Sequence, residues 1–446
     1  MAPERGAIGH VTNGIHVPTW DSPASDGLWT RHCGKARWRG ETDQLEEFIK
    51  EVSDQELWAL RQDSRHALVE YARQRYARQL VESGAPQEEI AQADKILDPE
   101  ALTLGFARRF ATYKRPTLLL HDPERLVRLL TAPDRPVQIL IAGKAHPADR
   151  PGQDMIRQWV TFTRRPEVRG RVIFLSDYDM LLTEQLVNGV DVWINTPRRP
   201  WEACGTSGMK VLANGGLNLS ELDGWWAEAF SPEVGWALGD GHEHGDDPGW
   251  DAAEADSLYS ILENDVIPTF YDRKAGGLPE GWLAKVRQSM TRLTARFSAN
   301  RTVRQYTTEF YVPAAQAYEA RRAHESALGL RMVKERQALE KQWPSLSFGD
   351  FQVETREGQH HFRVEVNFGG AGPGAVLVEL YAEGPDGQPF RQPMVQGDKL
   401  PDRQGGFVYT AQAEASRPAG DFAPRLIPKL DGLAVPLELP LILWQH

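Results

Sequence analysis

The sequence predicts an α/β protein, a helix-covered parallel sheet followed by an antiparallel β-domain. Three observations predict it. From about residue 100, short apolar runs at Leu102–Phe106, Val137–Ala142, Val172–Leu175 and Val190–Ile194 alternate with amphipathic stretches. Strands apolar on both faces belong to parallel sheets with helices on either side. After Pro344, Phe362, Val364, Val366 and Phe368 alternate with Arg363, Glu365 and Asn367, the period of a half-buried strand. The length of 446 residues, 41% hydrophobic and 25% charged, suits an ordinary globular chain of two or three domains.

The elements follow in order. Residues 1–20 read as a connector containing Asn13, Gly14 and Pro18. Ser53-Asp54-Gln55-Glu56 has the capping-box pattern and Gly84 offers a stop. Between them Leu57, Leu60, Ala67, Leu68 and Tyr71 recur at helical spacing, with arginines and glutamates expected on the other face. Helices are expected near 116–131, 151–163 and 181–189, and in the stretch opened by Gly205. Residues 252–342 read mainly as helices, the last one long and charged. Val376–Tyr381 and Phe407–Thr410 are further strands, separated by turns rich in glycine and proline. The expected organisation is therefore a connector (1–20), a Rossmann-like lobe (21–342) and a small β-sandwich-like domain (345–446).

Composition also excludes some functions. A net charge of −11 argues against nonspecific nucleic-acid binding. No apolar run is long enough to span a bilayer, and the first residues lack a signal-peptide core, so a cytoplasmic protein is expected. Cys33 and Cys204 do not make a disulfide framework. His242, Glu243 and His244 match no zinc spacing and sit in a Gly/Asp-rich loop, so no metal is expected. Scattered glycines at 369–374 separate two strand patterns and read as a loop.

In such folds ligands sit outside the carboxyl ends of the strands. Two polar segments fall there. Arg108-Arg109-Phe110-Ala111-Thr112-Tyr113-Lys114-Arg115 follows the first strand. Glu202-Ala203-Cys204-Gly205-Thr206-Ser207-Gly208-Met209-Lys210 follows the fourth, preceded by Asn195-Thr196-Pro197-Arg198-Arg199-Pro200-Trp201. A turn that opens a helix aims backbone N–H groups and the positive end of the dipole at one place, which suits an anion. The lysine one turn on is able to capture an aldehyde or pair with a phosphate.

Read whole, the second segment resembles the pyridoxal phosphate lysine segment of the α-glucan phosphorylases. The segment Gly9–Trp20, containing Thr12-Asn13-Gly14, resembles the stretch where that family's chain crosses between its two large domains. Ala107–Arg115 resembles its phosphate-binding run. Ala142–Pro147, Asn214–Ser220 and Leu222–Trp226 fit as well, the last closer to the bacterial branch. The resemblance runs from about residue 8 to about residue 310. It implies the C-terminal lobe of a GT-B glycosyltransferase fold. It also implies pyridoxal 5′-phosphate carried on Lys210, with Thr206, Ser207, Arg108 and Tyr178 around the cofactor. Arg109 and Lys114 would hold the substrate phosphate. Asn13, Glu202 and the backbone of Ala203, Cys204 and Gly205 would hold glucose. The implied reaction transfers a terminal α-1,4-linked glucosyl unit of a glucan to inorganic phosphate, giving α-glucose 1-phosphate with retention.

Complete members carry a large domain ahead of the Asn13 segment, with a glycine-rich loop over the phosphates. The resemblance therefore implies a C-terminal half that binds cofactor without robust phosphorolysis alone, with a separate N-terminal phosphorylase half as the expected partner. Two other readings stay open at this point. One is a sugar-nucleotide glycosyltransferase of glycogen-synthase type, which needs the basic pair and the glutamate but no cofactor lysine. The other is a noncatalytic glucan-binding remnant.

Overall fold

The computed structural model describes residues 9–40, 42, 45–273, 276–384, 389–401 and 405–445. The chain divides into two compact units, one of residues 11–306 and one made of residues 307–446 with the first ten.

In the first unit six parallel strands form one sheet: β1 (Leu102–Ala107), β2 (Val137–Ala142), β3 (Val172–Leu175), β4 (Val192–Asn195), β5 (Leu217–Glu221) and β6 (Gly235–Leu238). Their order is β3-β2-β1-β4-β5-β6. The chain winds outward from β1 to β3, returns, and winds outward again from β4 to β6. The crevice between β1 and β4 is therefore the switch point where doubly wound sheets bind ligands. Register is fixed by side chains buried on both faces. Leu104, Phe106, Ile139, Ile141, Val192 and Ile194 join one core. Ala107, Leu140, Ala142, Ile173, Leu175 and Trp193 join the other, against Leu68, Leu182, Leu186 and Val187. A slip of one residue would exchange the two sets.

The helix Asp54–Glu82 starts with the reciprocal bonds of a capping box between Ser53 and Glu56. One expectation for this helix is corrected. Arg61 and Arg65 are fully buried rather than solvated. Arg61 donates to the carbonyls of Asn188 (3.2 Å), Gly189 (2.9 Å), Val190 (2.7 Å) and Asn214 (2.7 Å). Arg65 donates to Pro99 O (2.6 Å) and to Asp191 (2.8 Å). Asp191 also accepts from the Thr103 N–H at 3.0 Å. The carbonyls that end the helix Met180–Gly189 need donors in a dry place, and a guanidinium supplies several at once.

Other segments differ in length from the expectation. The stretch 116–131 is a 3-10 turn at Leu118–Leu120 and a helix only from Pro123 to Leu130, started by the Asp122 cap. The helix after Gly205 is a single turn, Ser207–Lys210, followed by a 3-10 turn that ends at Gly215 with φ 74°. A left-handed backbone there stops the helix.

The second unit contains two antiparallel four-stranded sheets. Their strands are β7 (Ser347–Arg356), β8 (Gln359–Asn367), β9 (Val376–Ala382), β10 (Phe390–Pro393), β11 (Val395–Lys399), β12 (Gly406–Glu414), β13 (Ala423–Pro428) and β14 (Leu443–Trp444). The orders are β10-β9-β13-β14 and β11-β12-β8-β7. Phe362, Val364, Val366 and Phe368 from one sheet share a core with Val376, Val378 and Leu380 from the other, so this part is a sandwich. The helical stretch Val312–Gln342 belongs to the same unit. It is interrupted at Ala323–Ser326 and adds Leu339 to the core. Among the described residues, no helix is long and apolar enough to cross a membrane.

Candidate phosphate and cofactor site

The site grows from the carboxyl ends of β1 and β4. Directly after β1, Arg108 is buried, and its side chain turns across to β4 and the loop beyond it. It donates to Asn195 Oδ1 and, at 2.6 Å, to Glu202 Oε2. Lys114, also buried, donates to the same Glu202 oxygen at 2.9 Å. Two cations thus converge on one carboxylate. Arg108 Nε is buried and has no partner among the described residues. Burial pushes the Arg108 guanidinium below its ordinary value, and Glu202 opposes that shift. Such a cluster holds more positive than negative charge in a partly dry crevice, which favours an added anion.

Arg115, next to Lys114, fixes this geometry. Its backbone is left-handed, φ 42°. It donates to Thr196 O (3.1 Å), Pro197 O (2.9 Å) and Glu221 (3.1 Å), and also to Glu254. The loop after β1 is thereby tied to the loop after β4. Burial first, and Glu254 second, push Glu221 up to about 9.

The lysine loop is built by close packing. Glu202 donates its N–H to Asp223 at 2.8 Å. The Trp225 N–H reaches Cys204 O at 2.9 Å. Gly224, at φ 52°, leaves no room for a side chain, since a Cβ would lie 2.5 Å from Cys204 O. Gly208 is equally confined, with Asn218 Oδ1 2.5 Å from where a Cβ would stand. Among the described residues the N–H groups of Ala203, Cys204, Gly205 and Thr206 reach no acceptor. Ser207 Oγ accepts from Trp193 Nε1 at 3.3 Å.

Lys210 is half-buried, and its Nζ lies 3.7 Å from the centroid of the Trp20 ring. It has no hydrogen bond or ion pair among the described residues, and burial pushes its amine below the ordinary lysine value. A lysine with a lowered pKa is neutral more often at a given pH and so a better nucleophile toward an aldehyde.

The remaining candidates are placed as follows. Tyr178 is half-buried, donates to Ala107 O at 3.4 Å, and has its phenol raised by burial. Arg109 is exposed and has no hydrogen-bond or ion-pair partner among the described residues. Asn13 lies near the Cys204 thiol, which burial raises and Asn13 lowers in part. The segment carrying Asn13 is held by Arg301, which donates to Thr12 O at 2.8 Å, and by pairing of Ile15 with Ser298. Gly14 packs on Ser298, where a Cβ would meet the carbonyl at 2.2 Å. The structure therefore groups Arg108, Lys114 and Glu202, and separately Asn13 and Cys204. Among the described residues, no side-chain hydrogen bond or ion pair joins Lys210 or Arg109 to the first group. His242 and His244 both approach Asp240, and His244 stacks on Trp250 at 3.5 Å between ring centroids.

Sequence reasoning gave no role to Asn195, Asp223, Trp20 or Arg115. All four lie inside or beside the quoted motifs, but each acts by holding another residue, which spacing along the chain does not reveal.

Comparisons with known proteins identify the family. The carbohydrate phosphorylase family matches residues 1–235. The chain is 41% identical over 353 residues to glycogen phosphorylase of Mycobacterium tuberculosis, covering 78% of this chain and 40% of that protein. It is 41% identical over 305 residues to glycogen phosphorylase of Aquifex aeolicus, covering 68% and 44%. It is 34% identical over 450 residues to maltodextrin phosphorylase of Thermococcus litoralis, covering 98% and 52%. The chain spans about half the length, or less, of these relatives. With this match over more than half its length, the chain belongs to the carbohydrate phosphorylase family.

Proposed function

We propose that this chain carries pyridoxal 5′-phosphate on Lys210 and serves the reversible transfer of a terminal α-1,4-linked glucosyl unit from a glucan to inorganic phosphate. The observation that carries the reading is a pair of unsatisfied groups in the two segments that follow β1 and β4. One is a desolvated amine at Lys210 with no polar partner among the described residues. The other is a buried Arg108 whose Nε has none. The residues fit the cofactor on their own chemistry. An amine is available for its aldehyde, and Arg108 with the N–H groups near Thr206 and Ser207 is available for its phosphate. We also read the parallel sheet as the C-terminal lobe of a GT-B fold, in agreement with its strand order.

When bound, the cofactor supplies a phosphate that exchanges a proton with the substrate phosphate. The protein residues do the rest. Arg109 and Lys114 hold the attacking phosphate and cancel its charge against the cofactor phosphate. An entering phosphate takes Lys114 from Glu202 and frees that carboxylate to accept from a sugar hydroxyl. The N–H groups of Ala203, Cys204 and Gly205 donate to the same sugar, and Asn13 binds the hydroxyl on its sixth carbon. The transition state has oxocarbenium character, so a phosphate dianion fixed beside it stabilises developing positive charge. A separate N-terminal phosphorylase half is included as a partner.

Borohydride reduction followed by mass mapping tests the assignment. A pyridoxyl group on Lys210, absent from Lys210→Ala, is expected. An unlabelled Lys210 with tight binding of a nucleoside diphosphate glucose would refute it.

A further inference from the structure

Trp201 is 67% exposed although the loop that carries it is held by several hydrogen bonds. The Trp201 N–H bonds to Arg198 O at 2.9 Å, and the Arg198 N–H bonds to Tyr113 O at 2.6 Å. Arg198 is anchored to Gly245 O (2.6 Å) and Asp251 (2.7 Å), and Arg199 donates to Leu222 O. Arg115 holds the carbonyls of Thr196 and Pro197. A loop pinned at so many points does not leave its indole in water for want of order. Holding a large aromatic face out of the core forgoes apolar burial.

The position of the ring identifies what it faces. Trp201 is followed directly by Glu202, and its ring lies 6.5 Å from that of half-buried Tyr113 at 40°. Lys114 Nζ stands 4.9 Å from the Tyr113 centroid and 2.9 Å from Glu202. An aromatic pair, exposed Trp201 and half-buried Tyr113, thus borders the carboxylate and cation cluster. A pyranose combines an apolar C–H face with a rim of hydroxyls, and stacks on an aromatic ring while its rim meets polar groups. Nucleotide bases also stack, but a chain of net charge −11 is a poor partner for polyanions.

We propose that Trp201, with Tyr113 beside it, is the stacking platform for the glucan residue adjoining the sugar held at Glu202. The platform thereby sets preference for chains over monosaccharide. This rests on the reading above and adds a subsite that the sequence resemblance does not include.

The test uses the full chain reconstituted with pyridoxal 5′-phosphate, with Trp201→Ala and Trp201→Phe alongside. Binding of glucose, maltose and maltoheptaose is measured by calorimetry, and cofactor content by visible absorbance. The wild-type chain is expected to bind maltoheptaose more tightly than glucose. Trp201→Ala is expected to weaken maltoheptaose about tenfold, the weight of one good aromatic contact, and leave glucose and cofactor content unchanged. Trp201→Phe should restore most of the loss. The platform is overturned if Trp201→Ala binds maltoheptaose like wild type, or if the cofactor-loaded wild-type chain does not prefer maltoheptaose to glucose. Both of those results leave the cofactor assignment standing, whereas absence of cofactor from Lys210 removes the assignment and the platform together.

Discussion

Glu221→Gln isolates the cost of the buried carboxyl pair behind the site. Glu221 and Glu254 are almost fully buried and share Arg115. Burial and the neighbouring Glu254 push Glu221 from 4.5 up to about 9. Between these values the folded chain carries a proton that the unfolded chain releases. Stability from this group is therefore intact below the unfolded value and falls as pH rises through the window. From 4.5 to 7 is two and a half pH units at about 1.4 kcal/mol each, so the site costs about 3 kcal/mol at neutral pH. Glutamine imitates the protonated acid. Its oxygen accepts from Arg115 and its amide donates to Glu254, as the protonated carboxyl does. The variant should match wild type near pH 4.5 and exceed it by up to about 3 kcal/mol at pH 7. Urea unfolding at several pH values reads this directly. Tryptophan fluorescence follows the correct unit, because 12 of the 14 tryptophans lie in residues 11–306. Parallel stability curves for the two proteins would refute the argument.

Three further outcomes follow from the same structure. Asp191→Ala strands Arg61 and Arg65 without their carboxylate and is expected to cost about 3–5 kcal/mol, measured by the same unfolding; a loss under about 1 kcal/mol would mean solvent reaches the pair. Gly224→Ala forces a Cβ against Cys204 O at a positive φ and is expected to cost about 1–3 kcal/mol while weakening glucose binding, read by melting and calorimetry. Because burial lowers the Lys210 amine, the rate of pyridoxal phosphate uptake should rise to its plateau at a lower pH than for an exposed lysine; stopped-flow absorbance with a model amine as reference checks this.

Much of the parallel sheet was legible because its strands are short and apolar on both faces. Val137–Ala142 and Val172–Leu175 form as read, and the capping box at Ser53 starts its helix as read. β5 and β6 were not foreseen as strands. The four residues of β6 at the sheet's edge carry too little pattern to separate from a loop. The burial of Arg61 and Arg65 was also invisible, because helical periodicity counts charge as solvent-seeking and cannot know that Asp191 and five carbonyls wait opposite. Motif reading found Arg108, Lys114 and Glu202, and the fold brings them within hydrogen-bond reach of one another. It could not tell that Glu202 would hold both cations itself, since that follows from two loops meeting at the switch point.

The pairing of Ile15 with Ser298 has a consequence for architecture. The polypeptide enters the first unit and leaves it through one doorway, although nearly three hundred residues lie between the two segments of that gate. A module whose ends meet this way is suited to transplantation into a surface loop of a host protein, or to being re-cut at a new starting point, without rethreading its interior.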